Sequence, residues 1–241
     1  MSQPLKRAGF QQGIYEESST AKEMVGCIRF TRDGRAYTYS KNGAVALSPG
    51  KTTSAAAISA NVTNLAATNA AAIDAKVITQ TVATDTYAAD YFRGGMLQVN
   101  DGTGKGYQYL ILSSSAITAG GSLTVEIEEG IKVALVATTS EISFVKNPWM
   151  ATVVSATEET FPTGVPPIDV TIAYYYWSQT GGLNSAFSKG TAAVATMLAM
   201  ADTDGAVDAI NTTLDIDQPI IGIQVGTGVA DEYKPIWLTI R

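Results

Sequence analysis

The sequence predicts a mainly β protein: two β-sandwich or barrel-like domains with an N-terminal arm and at most one or two short helices. Three observations predict it. Short runs of alternating apolar and polar residues recur from Val25 onward, turn-forming clusters of Gly, Pro, Asn and Asp separate most of them, and helical spacing is confined to one Ala-rich stretch. With 241 residues, 46% of them hydrophobic, the chain can build one large or two modest domains, each burying its own core.

Residues 1–25 are polar and weakly patterned, and read as an arm that is either disordered or held by a partner. Met1-Ser-Gln-Pro-Leu-Lys-Arg is followed by polar residues rather than an apolar stretch, so no secretory signal is expected. A first β domain is placed at 26–158. It opens with Cys27-Ile-Arg-Phe-Thr-Arg and Arg35-Ala-Tyr-Thr-Tyr-Ser around Asp33-Gly34, a strong hairpin signal, and continues through Gly43-Ala-Val-Ala-Leu to a Pro-Gly turn. An Ala/Asn-rich insertion follows at 52–75. Ile58, Val62 and Leu65 share one helical face there, while the many Thr and Asn residues favour an irregular connector; both readings stay open.

From Val77 to Val145 six strand-like runs alternate with turns such as Asp101-Gly-Thr-Gly and Ala119-Gly-Gly-Ser. Pro162, Gly164, Pro166 and Pro167 disfavour both helix and central strand, so 159–169 is read as a linker. A smaller C-terminal β domain is expected at 170–241, from Val170-Thr-Ile-Ala-Tyr-Tyr-Tyr-Trp to a final strand Lys234-Pro-Ile-Trp-Leu-Thr-Ile, with Gly181-Gly182 marking a bend or a close approach.

Composition excludes several functions. With no histidine, every His-based triad, His-ligated metal site and imidazole base is removed, and with them most hydrolase chemistries. A net charge of −6 with scattered Lys and Arg argues against nucleic-acid binding, and the apolar runs are too short to span a bilayer. The single cysteine, Cys27, can form no internal disulfide and reads as a small buried hydrophobe.

The remaining candidates for chemistry have plainer explanations. Asp101-Gly-Thr-Gly-Lys-Gly106 suggests a phosphate cradle, but Val99 stands where a P-loop needs glycine and Gly106 where it needs Ser or Thr, so a hairpin turn is expected. Glu126, Glu128 and Glu129 fit a solvated strand face better than a glycosidase pair. Asp202-Thr-Asp-Gly and Asp215-Ile-Asp217 lack the further ligands of a calcium loop, and Ser188-Lys189 reads as a turn rather than a dyad. No catalytic residue, cofactor or metal is expected. The aromatic residues Tyr174, Tyr176 and Trp177, with Trp149 and Trp237 elsewhere, read as core or interface packing in preference to a sugar platform.

A family resemblance rests on the order of several motifs. Gly34-Arg-Ala-Tyr-Thr-Tyr, Gly43-Ala-Val-Ala-Leu-Ser-Pro-Gly-Lys51 and Tyr91-Phe-Arg-Gly-Gly-Met-Leu-Gln-Val-Asn-Asp-Gly-Thr-Gly-Lys-Gly106 come first. Val145-Lys-Asn-Pro-Trp149, Ala173-Tyr-Tyr-Tyr-Trp-Ser-Gln-Thr-Gly-Gly182, Pro219-Ile-Ile-Gly-Ile-Gln-Val-Gly226 and Tyr233-Lys-Pro-Ile-Trp-Leu-Thr-Ile240 follow. Together they resemble the tailed-bacteriophage virion structural proteins that decorate the head. The resemblance implies a non-enzymatic capsid decoration, or cement, protein on the virion surface. It would be a homotrimer bound to the major capsid protein, with the arm and one β face docking on the shell and the strands of Tyr174–Trp177 and Trp237 as subunit contacts. Another virion component, such as a head fibre base, tail or tube protein, and a carbohydrate-binding β module are the alternatives.

Overall fold

Alternating side chains along the chain give sixteen strands among the described residues of the computed structural model, which are 9–156, 160–201, 204–210, 218–227 and 229–240. In chain order the first are β1 (Ile28–Phe30), β2 (Ala36–Asn42) and β3 (Thr53–Ser54). Next come β4 (Leu65–Ala66), β5 (Val77–Thr81), β6 (Met96–Asp101), β7 (Gln108–Ser114), β8 (Ser122–Ile127) and β9 (Glu141–Val145). The last are β10 (Met150–Val154), β11 (Pro162–Gly164), β12 (Tyr175–Ser188), β13 (Met197–Met200), β14 (Val207–Ala209), β15 (Ile220–Gln224) and β16 (Glu232–Thr239). The chain is nearly all β, with a closed five-strand barrel and a curled half-barrel sheet.

The division into units differs from the sequence reading of 26–158 and 170–241 joined by a linker. One compact unit combines the described residues up to Ala56 with those from Ala151 onward, and the other runs from Ala57 to Met150. The cause is a long-range pairing: β2 lies antiparallel along the first half of β12, from Tyr175↔Lys41 to Gly181↔Ala36. Both ends of the chain therefore share one sheet, and the middle is an insertion that leaves after β3 and returns at β10. Those two strands pair with each other through Val153↔Ser54. The proline-rich stretch is not a linker either. Pro162 begins β11, which pairs with β3, and Val165 bridges Gln179 of β12. Proline is tolerated there because a first residue at a sheet edge need not donate to a ladder.

In the first unit β12 belongs to two structures. Its first half pairs with β2, and its second half pairs with β16 from Gly181↔Thr239 to Ser188↔Glu232. The barrel runs β12–β14–β13–β15–β16 and closes through that β12–β16 ladder. Ala186, Leu198, Met200, Val207, Ile221, Ile236 and Leu238 fill it. Where β12 passes from one partner to the other, Gly182 has φ +83°, and a Cβ would lie 3.1 Å from the Arg35 Cα, so only glycine fits without strain. On the other side, β2, β3, β10, β11 and β12 enclose hydroxyls: Thr53 bonds Thr163 at 2.9 Å and Thr152 bonds the Tyr176 hydroxyl at 3.0 Å.

Residues 9–25 depart from the expected free arm, because they pack on their own chain. Gln12, 3% exposed, donates through Nε2 to the carbonyls of Glu16 (2.7 Å) and Tyr175 (2.9 Å) and accepts the Tyr39 hydroxyl at 2.6 Å. Its own carbonyl accepts the Trp177 indole N–H at 3.0 Å. Phe10 meets Trp177 edge-on at 5.0 Å, while Ile14, Val25 and Cys27 pack on Tyr37, Tyr39 and Trp177.

The inserted unit is the six-stranded sheet β4–β9–β6–β7–β8–β5, curled around Phe92, Leu97, Val99, Ile111, Leu123, Val125, Ile127 and Phe144. Its two edge strands are joined by a side chain. Buried Gln80 of β5 donates to the Ala66 carbonyl of β4 (3.1 Å) and accepts from the Thr68 amide just beyond that strand (2.8 Å). At 52–75 the connector reading holds: a single 3₁₀ turn, Ala60–Val62, sits between two-residue strands, and of Ile58, Val62 and Leu65 only Val62 is buried. Asp101–Gly106 is the hairpin turn between β6 and β7, with the Gly106 amide on the Val99 carbonyl at 2.9 Å.

Candidate functional site

The final strand alternates strictly. Lys234, Ile236 and Leu238 point into the barrel, so Tyr233, Pro235 and Trp237 face out. The same alternation on the neighbouring strands places apolar side chains beside Trp237. Leu183 of β12 is its partner on one side, Ile223 of β15 on the other, and Met197 of β13 pairs with Ile223. Residues opposite each other in a ladder share a face, so Leu183, Trp237, Ile223 and Met197 form one row across four strands. They are 51%, 49%, 39% and 50% exposed. None is charged, and Lys189 with Asp231, which pair at 2.8 Å, lies beyond the row near the start of β16. A cleft of about 730 Å³ shares Leu183 with the row and is lined also by Tyr15, Arg35, Pro49, Tyr233 and Pro235.

The five residues singled out from sequence do not form one surface. Tyr176 and Trp177 are fully buried, contrary to an interface role, because both faces of β12 are covered. The segment around Gln12 covers Trp177, and Leu47 with Val170 covers Tyr176. Tyr174 packs against the Tyr176 cluster, half-buried. Trp149 is half-buried in the inserted unit, its amide on the Asn147 carboxamide oxygen at 3.0 Å. Trp237 alone of the five lies on an outward row. Sequence reasoning passed over Leu183, Ile223 and Met197; the available signal was an apolar residue at an outward position in several strands at once.

The candidates for chemistry sit at strand ends, in turns and on exposed strand positions. Ser188 is buried with its hydroxyl on the Gly190 carbonyl at 3.2 Å, whereas the exposed Lys189 side chain pairs with Asp231, so the two do not meet as a dyad. Glu126, Glu128 and Glu129 are exposed, and Lys132 approaches Glu129 at 3.3 Å. Burial and the nearby Glu23 raise the Cys27 thiol pKa, which suppresses the thiolate. Among the described residues no group of three or more Cys, Asp or Glu side chains is placed to hold a metal. Asp202, Asp215 and Asp217 lie outside the described residues.

The arrangement on the barrel is an uncharged, exposed apolar row across four strands. Closing a barrel satisfies its backbone groups internally, leaving side chains as the means of contact. No family model, no curated protein and no solved structure matches this chain.

Proposed function

We propose that the chain is a non-catalytic virion structural protein of the head-decoration type, which binds the outer surface of a phage head shell as a homotrimer and stabilises it. The observation that carries this reading is the exposed apolar row Leu183–Trp237–Ile223–Met197 on the barrel. Four apolar side chains in register form a patch of the kind that marks protein–protein contact. Aromatic residues such as Trp237 dominate the energetics of such contacts. In this reading the row joins copies in the trimer, and each trimer engages several major capsid subunits at once. Simultaneous engagement makes a modest affinity per contact sufficient to oppose shell expansion.

The test is the solution mass by light scattering, followed by co-sedimentation with undecorated heads of the parent phage. A trimer that pellets with heads in saturable amount is expected. The Trp237→Ser, Leu183→Ser double variant is expected to remain folded, to become monomeric and to lose most head binding. A wild-type monomer indifferent to heads would overturn the proposal.

A further inference from the structure

The cleft of about 730 Å³ is walled by proline and aromatic rings and lies wholly within the unit formed by the two ends of the chain. Pro49, Pro166, Pro167 and Pro235 stiffen its sides, and Tyr15 and Tyr233, 61% and 53% exposed, line it with them. The Tyr233 ring is fixed from behind. Gly50 has φ +75°, and a Cβ there would stand 2.5 Å from Tyr233 Cε1, so the ring lies directly on the loop backbone. That loop is tied on both sides, by the Gly50 amide on the Pro166 carbonyl (3.0 Å) and the Phe187 amide on the Gly50 carbonyl (2.8 Å), while the Phe187 ring meets that of Tyr233 at 5.5 Å.

The polar side chains of the cleft sort into two kinds. Two amides are spent within the fold: buried Gln179 donates to the Gly181 (3.1 Å) and Leu183 (2.8 Å) carbonyls and accepts from the Asn184 amide at 2.9 Å. The side chains that solvent reaches are those of Tyr15, Ser185, Tyr233 and, at 26% exposure, Arg35. Each of these can donate a hydrogen bond. Among the described lining residues there is no Asp or Glu. The Arg35 charge is balanced by Asp33, whose carboxylate accepts the Arg35 Nε–H at 2.8 Å. The cleft therefore offers donors and apolar rings with no net charge.

We propose that this cleft binds a proline-rich segment of a partner chain in the polyproline II conformation. Such a segment carries apolar rings and backbone carbonyls that no internal hydrogen bond uses, and its prolines have no N–H to satisfy. The tyrosine and proline walls take the rings, and the accessible donors take the carbonyls. Hydrogen-bond complementarity selects this occupant over a saccharide, whose hydroxyls also need acceptors of the carboxylate or free amide kind. Neutrality gives an acidic segment no advantage. The volume falls within the range of about 300–1,000 Å³ that holds a drug-sized ligand, enough for a short stretch of such a chain. Of the lining residues only Leu183 also belongs to the outward row, so peptide binding and trimer formation are read by separate measurements.

The experiment titrates the full chain with acetyl-hexaproline-amide, with the flexible acetyl-Gly-Ser-Gly-Ser-Gly-Ser-amide of the same length and with maltotriose, by calorimetry and by NMR shifts of labelled tyrosine rings. Hexaproline is expected to bind at least about tenfold more tightly than the Gly-Ser peptide, because it is extended before it binds, and to shift Tyr15 and Tyr233. Tyr233→Ala is expected to weaken that binding at least about tenfold, whereas Trp237→Ser, outside the cleft, leaves it unchanged. Absent hexaproline binding, equal binding of the two peptides, shifts confined to other tyrosines, full affinity in Tyr233→Ala, or tighter binding of maltotriose would overturn the proposal. The wild-type comparison decides by itself if a variant does not fold.

Discussion

Replacing Gln12 with alanine is expected to detach residues 10–24 from the sheet beneath them. The wild-type side chain makes three hydrogen bonds: to the Glu16 carbonyl at 2.7 Å, to the Tyr175 carbonyl at 2.9 Å, and from the Tyr39 hydroxyl at 2.6 Å. The first two contribute about 1 kcal/mol each, and a buried Tyr39 O–H left without its acceptor costs about 1–3 kcal/mol more. The total is about 3–5 kcal/mol against local opening. Even the lower figure raises the open population about 100-fold, since each 1.4 kcal/mol is about a factor of ten. Amide hydrogen exchange reads this directly. The Ser18 amide is held by the Tyr175 carbonyl at 3.0 Å and the Lys22 amide by the Tyr39 hydroxyl at 3.0 Å. Both are expected to lose about two orders of magnitude of protection, while amides of the inserted unit stay unchanged. Unaltered protection at Ser18 and Lys22 would refute the assignment of this segment to the fold and restore the reading of a free docking arm.

Two further outcomes follow from buried groups. Gln80→Leu keeps the volume of the side chain but removes the two hydrogen bonds across the seam of the inserted unit, at about 1 kcal/mol each; calorimetry is expected to show that unit's transition falling by about 8–16 °C. Tyr37, whose buried hydroxyl has no partner, has its pKa pushed up to about 12 by burial. The unfolded chain releases that proton near pH 10, so the native state holds more protons between the two values and stability falls as pH rises from about 10 to about 12. Melting temperatures across that window are expected to decline less steeply in Tyr37→Phe than in the wild type.

Local features of the fold were legible because they depend on neighbours in sequence. Asp33-Gly34 and Asp101–Gly106 make turns wherever the strands lead, and the alternation from Tyr233 to Thr239 fixes which side chains enter the barrel. The partner of β2 was not legible. Nothing in Ala36–Asn42 states that its ladder runs to Tyr175–Gly181 rather than to a nearer strand, and the domain boundaries depend on that pairing. Polar residues misled for a related reason. Gln12 looks like a solvated arm residue, yet it is buried and donates to the Glu16 and Tyr175 carbonyls. Buried Lys146 within Val145-Lys-Asn-Pro-Trp149 is indistinguishable from a surface lysine until its surroundings are known.

The exposed row gains meaning from the closure of the barrel. The β12–β16 ladder satisfies the facing backbone edges of those two strands, so what they present outward is side chains. Four strands at about 4.8 Å spacing carry the row across roughly 14 Å, enough to seat a few side chains of a neighbour. That continuity depends on how closely β15 approaches β16. A Cβ on Gly222 would fall 2.4 Å from the Trp237 carbonyl oxygen, a backbone atom that cannot turn aside. Any larger residue there must push β15 away and part Ile223 from Trp237. The glycine that lets β15 approach β16 is therefore also what keeps the exposed row in register, so the interior packing and the outward row are set by one strand spacing.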